Sequence, residues 1–202
     1  AWWMSFPILS IMTITMWSVL TSEKIQFTQS SNFITSGGFG PNQVSAVLGL
    51  GAVMMFLAIL SINSKRDRLL AFGMMVAFLV QSALTFSRGG VYNAAICILL
   101  VSLHLIWSKK GRSSAVTLLF ALWLMAIYLI IPQLDQYTNG MFSLRFQDTD
   151  TTNRVEIAQA EIRVWQDNIL FGVGPGAAKE ASTQFFYRFA NAHTEYTRIL
   201  AE

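Results

Sequence analysis

Five stretches of this chain, 2–20, 42–62, 69–86, 91–107 and 113–131, are each about as long as a membrane-crossing helix and contain no Asp, Glu, Lys or Arg. A helix needs about 17–25 mostly apolar residues to cross the hydrocarbon core. Lipid offers a spanning backbone no hydrogen-bond partners, so such stretches must be helical. Composition points the same way. Only 12% of the residues are charged, and of eleven acids only Glu23 and Asp67 precede residue 132. Soluble domains carry about 25% charge. The predicted fold is an all-α integral membrane protein. Residues 1–131 form a polytopic bundle of about five helices, and 132–202 form a segment outside the bilayer with two helices.

The connectors set an orientation. Lys65, Arg66 and Arg68 fall in 63–68, and Lys109, Lys110 and Arg112 in 108–112. Basic short loops face the cytoplasm, which puts 21–41, the turn 87–90 and 132–202 on the outer side. The chain begins at Ala1 without an initiator Met, shows no cleavable signal, and stops within a helical pattern. It reads as a fragment of a longer protein. A lone Cys97 leaves no internal disulfide and no cysteine metal site. The basic residues fall in small separated groups, unlike the patch of a nucleic-acid binder.

Local signals add detail. The loop 21–41 is rich in Ser, Thr, Gly and Asn and reads as exposed, with Asn42 as the cap of the next helix. Gly49 and Gly51 suit close helix packing. Beyond residue 132, Asn153 and Glu156 have the spacing of a capping box. The helix that follows would put Arg154, Ala158, Glu161 and Trp165 on one face and Ile157, Ile162 and Ile169 near another. Gly172-Val173-Gly174-Pro175-Gly176 stops it, and a second helix runs from about Ala181 to the end.

A few residues could carry chemistry. Arg88 sits at a two-glycine turn between two spans. It reads either as a snorkelling boundary residue or as an anion ligand, since the glycines remove bulk and a guanidinium binds phosphate bidentately. Arg154 lies in the first turn of its helix, where a cation opposes the dipole. Arg163 reads as a solvated helix residue. His193 is the one histidine on the outer side and could act as a base near neutral pH. The glycine loop 172–176 reads as a helix-ending turn more readily than as a phosphate cradle, and His104 as structural. No Asp-x-Asp, His-x-x-x-His or Cys pair suggests a metal site.

Four motifs together resemble the bacterial O-antigen ligase and polymerase family. They are Gly38-Phe39-Gly40-Pro41-Asn42-Gln43 at the start of a span, Phe86-Ser87-Arg88-Gly89-Gly90 after one, and Arg154 followed by Trp165-Gln166-Asp167-Asn168-Ile169-Leu170-Phe171-Gly172-Val173-Gly174-Pro175-Gly176. The fourth is Ala192-His193-Thr194-Glu195-Tyr196 with Leu200-Ala201-Glu202. Ile169 stands where the family usually has proline, and Thr194 where Asn is common. The family's bundle has about twice as many spans, so the resemblance implies missing helices at both ends.

The resemblance implies a membrane glycosyltransferase of the GT-C-like helical kind, in the bacterial inner membrane with its site on the periplasmic face. Such enzymes move a glycan from a polyprenyl diphosphate carrier to a further glycan, lipid A core or a protein hydroxyl. They invert the anomeric centre and use no cofactor and no metal. Arg88 and Arg154 match the arginines assigned to the diphosphate, with Arg163 as a further candidate, and His193 matches the acceptor-activating histidine. The span count alone is also compatible with a multi-span transporter or a non-catalytic membrane component. Against a transporter, no span holds an Asp, Glu, Lys or Arg of the kind transport pathways often need.

Overall fold

The computed structural model describes residues 2–107, 112–148, 153–186 and 195–202. The regular elements among its described residues are all helical, with no strand among them. The chain divides into two compact units, Ala1–Asp148 and Thr149–Glu202.

The first unit holds α1 (Trp2–Thr21), α2 (Pro41–Ser61), α3 (Lys65–Leu84), α4 (Arg88–Trp107) and α5 (Arg112–Met125). A π-helical turn, Ala126–Ile130, continues α5 into α6 (Ile131–Tyr137), and α7 (Met141–Gln147) follows. Among the described residues, four helices are long and apolar enough to cross a membrane: Pro41–Ser61, Lys65–Leu84, Arg88–Trp107 and Val116–Tyr137. The described part of α1 adds a shorter apolar helix, Ser5–Thr21. The π turn has a local cause. Pro132 has no N–H to give, and its ring would strike the carbonyl one turn back, so the helix widens just before it.

Helix α2 is the hub, packed against α1, α3 and α4. Leu48, Met55, Phe56, Met75 and Phe78 are wholly buried there. Small residues let the backbones close in, as lipid-embedded packing requires. A Cβ on Gly51 would lie 2.7 Å from Ile8, and one on Gly49 would lie 2.5 Å from the Gly90 carbonyl oxygen.

Two local readings are corrected here. Asn42 does not cap α2: Gly40 is the cap residue and Pro41 the first helical position, a place that proline favours. The loop 21–41 is not exposed throughout. Ile34–Ser36 forms a 3-10 turn whose Thr35 and Ser36 are fully buried. The end of α3 leaves carbonyls without helical partners, and the loop's polar side chains and amides meet them. Thr35 Oγ1 donates to the Leu84 carbonyl at 2.6 Å, and the Asn32 amide donates to the Thr85 carbonyl at 2.8 Å.

The second unit holds α8 (Arg154–Asp167), α9 (Ala178–Ala181), a 3-10 turn at Ser182–Gln184 and α10 (Glu195–Ala201). Its capping box does not form. Asn153 is left-handed, at φ 60° and ψ 17°, and its side chain makes no cap bond, because a cap side chain reaches the first amides from extended backbone. The buried stripe of α8 is Ile157, Ala160, Glu161 and Val164, so Glu161 lies inside and not on a polar face. The single helix expected from Ala181 is instead, over its described residues, α9, the 3-10 turn and α10. Ser182 and Thr183 hydroxyls bond back to the Lys179 and Glu180 carbonyls. Such back-bonding competes with helix continuation.

Candidate functional site

In the first unit, several segments converge on the turn between α3 and α4. Phe86 takes φ 58° and is fully buried, an uncommon conformation for a residue with a bulky side chain. Its ring stacks on Phe27 at 5.2 Å and meets Phe142 edge-on at 6.3 Å. Next to it, Ser87 Oγ donates to Asn42 Oδ1 at 2.8 Å, and Ser45 Oγ donates to the Ser87 carbonyl at 3.0 Å. Ser45 and Ser82 share a 2.8 Å hydroxyl contact, and Gln81 Nε2 donates to the Thr35 carbonyl at 2.9 Å. The turn thus hangs from α2, α3 and the loop before α2 at once. Asn42, read as a cap, is a tether.

Arg88 is the first residue of α4 and is half-buried. One guanidinium nitrogen donates to the Asp148 backbone carbonyl just beyond α7. The two glycines after it differ. A Cβ on Gly89 would meet nothing within 4 Å, whereas one on Gly90 would fall 2.2 Å from the Ser45 carbonyl oxygen. Gly89 opens the space beside Arg88, and Gly90 lets α4 touch α2.

One helical turn past Arg88, Val91 and Tyr92 begin the wall of an apolar cavity of about 530 Å³. Its other sides come from α3, α5, the π turn, α6 and α7, with Leu122, Ile130 and Phe142 among the lining residues. Residues three and four apart share a helix face, so the cation of Arg88 and this wall belong to one side of α4.

In the second unit, Arg154 opens α8 and is exposed. Arg163 is exposed as well, nine residues on. That spacing sets it about 14 Å along the axis and half a revolution around it, so α8 does not bring the two arginines together. Glu161 accepts a hydrogen bond from Thr197 Oγ1, tying α8 to α10. The glycine loop holds the other end of α10. The Val173 amide donates to the Ala201 carbonyl and the Gly174 amide to the Glu202 carbonyl, each at 2.9 Å; the Gly176 amide donates to Glu202 Oε1 at 3.1 Å. Positive φ at Gly172, Gly174 and Gly176 shapes this cradle. It receives the carbonyls at a helix C-terminus, which otherwise lack partners, and a carboxylate. His193 lies outside the described residues. Among the described residues no three His, Cys, Asp or Glu side chains gather as a metal would need.

The family model described as O-antigen ligase matches residues 75–202, more than half of the chain. The chain belongs to the O-antigen ligase family. No curated protein and no solved structure matches it significantly. The O-antigen ligase match takes in the Arg88 turn, α8, the glycine loop and the histidine segment. The Gly38–Gln43 motif lies before it, yet is bonded to the Arg88 turn through Asn42 and Ser87. With its apolar helices, this O-antigen ligase family member is a multi-pass membrane protein.

Sequence reasoning missed Arg145 at this site. It is 8% exposed, its Nε donates to the Phe86 carbonyl at 3.1 Å, and it lies 3.5 Å from the Asp148 carboxylate. Nothing in Leu144-Arg145-Phe146 sets it apart from an ordinary charged helix residue.

Proposed function

We propose that the chain is part of a glycosyltransferase that moves a glycan from a polyprenyl diphosphate carrier to an acceptor hydroxyl on the outer face of a bacterial inner membrane. One observation carries this reading: Arg88 opens α4, and the next turn of that helix, Val91 and Tyr92, lines an apolar cavity. The pairing of a fixed cation with an apolar cavity suits a substrate with an anionic head and a long hydrocarbon tail.

The chemistry follows from the leaving group. The acceptor oxygen attacks the anomeric carbon as the bond from that carbon to the diphosphate oxygen breaks. The bonding pair leaves on the diphosphate, and one displacement inverts the centre. Arg88 and Arg154 stabilise the charge that grows there, an effect strongest where water is scarce. Both stand at helix starts, where amides and dipole also favour an anion. Arg163, on the far side of α8, is assigned no part. His193 takes the acceptor proton. The acceptor is a glycan, lipid A core or protein hydroxyl.

Arg88→Lys tests the reading, since lysine keeps the charge and loses the planar fork. Glycan transfer by the full-length protein should fall by about a hundredfold or more at normal abundance in the membrane. Transfer at the wild-type rate would show that Arg88 only marks the boundary.

A further inference from the structure

Arg145 is a charged side chain buried in a membrane protein, and such a placement costs free energy unless its hydrogen bonds are met. What it meets is the backbone of the Arg88 turn. Its Nε–H donates to the carbonyl of Phe86, the residue held at φ 58°. Two residues on, Arg88 donates to the carbonyl of Asp148, three residues after Arg145. The two segments therefore clasp each other: 145 holds the peptide before Arg88, and 148 holds the Arg88 side chain. The Arg145–Asp148 ion pair, at 3.5 Å, braces the second segment within itself.

We infer that Arg145 is a positioning residue for the diphosphate site: by holding the Phe86 carbonyl it fixes the turn that aims Arg88, without touching the substrate. The inference rests on the reading of Arg88 as the diphosphate ligand. Unrestrained, the Phe86–Ser87 peptide can turn toward the commoner negative-φ conformations, and the start of α4 turns with it. The working part of Arg145 is then its Nε–H and not its charge.

Two substitutions separate these. In Arg145→Gln the amide nitrogen occupies the same place along the side chain as Nε, so the bond to Phe86 survives while the charge is lost. In Arg145→Lys a methylene replaces Nε, so the charge beside Asp148 survives while that bond is lost. The full-length protein in nanodiscs is titrated with undecaprenyl diphosphate, and the thermal midpoint of each variant is recorded. Arg145→Lys should weaken binding about tenfold, the lower range for a hydrogen bond to a charged group, while Arg145→Gln stays within about threefold of wild type. The reverse order would mean that the charge matters, equal loss in both a bulk structural role, and no loss in either that Arg145 does not position the site; each overturns the inference. Should Arg145→Lys not fold, Arg145→Met, which lacks both the Nε–H and the charge, takes its place: it should weaken binding about tenfold where Arg145→Gln does not, and equal binding by the two overturns the inference. Arg88→Lys, run alongside, must itself weaken binding. If it does not, the diphosphate reading falls and the inference with it; if it does and the Arg145 pattern fails, only the inference falls.

Discussion

Gly89 and Gly90 are adjacent and chemically identical, yet a methyl group would separate them. Gly90→Ala must push α4 off α2, because the added Cβ meets backbone at Ser45 and not a side chain that can swing away. Overpacking of that kind costs about 1–3 kcal/mol, so its thermal midpoint and its transfer activity should both fall. Gly89→Ala should leave the midpoint unchanged, since its Cβ meets nothing. Any loss of transfer there would report crowding beside Arg88. For His193 the expectation is kinetic. A general base contributes about 10²–10⁴-fold, so His193→Ala should lose transfer on that scale and still bind undecaprenyl diphosphate. A base must be neutral to accept a proton, so wild-type transfer should decline in acid. A joint loss of binding and transfer would make His193 a contact or folding residue.

The glycine loop and α10 form one element pair. Amides that in isolation look like a phosphate cradle are engaged by Ala201 and Glu202. A Cβ on Gly172 would lie 2.3 Å from the Glu202 carbonyl carbon, whereas one on Gly174 would meet nothing. Gly172→Ala should therefore undock α10, seen as faster proteolysis and amide exchange in 195–202. Gly174→Ala should show only the backbone strain of its φ of 92°, about 1–2 kcal/mol. Equal behaviour of the two would argue against the packing account. Some of this was legible. Gly-x-Gly-x-Gly announced a turn, but which carbonyls it would serve depends on residues 25 or more positions away. Pro41 held the clue to the misread Asn42, since a proline at the first helical position moves the cap to Gly40.

At the scale of the whole chain, the membrane helices were the most legible part, because lipid removes the backbone's alternatives and leaves length and apolarity to decide. Arg88 stood out for the same reason, as a charge breaking a long apolar pattern. Arg145 and Glu161 did not, for they lie where charges are common, and a sequence does not distinguish a buried charge from a solvated one. The proposed topology can be tested directly. A cysteine placed at Ser64, in a Cys97→Ala background, should resist an impermeant thiol reagent in intact cells and react once they are opened. Labelling of intact cells would invert the assignment.

The clasp at the Arg88 turn also bears on the order of events during synthesis. The Phe86 carbonyl waits for a residue 59 positions later, and the Arg88 side chain for one 60 positions later. At about 5–20 residues per second, some 3–12 s pass between translation of the turn and of its partners. The α3–α4 hairpin must enter the membrane with its arginine still unclasped. The Arg88 clasp is therefore closed only when residues 145 to 148 arrive, and a nascent chain halted before residue 145 would carry every described span of the first unit and still lack that clasp.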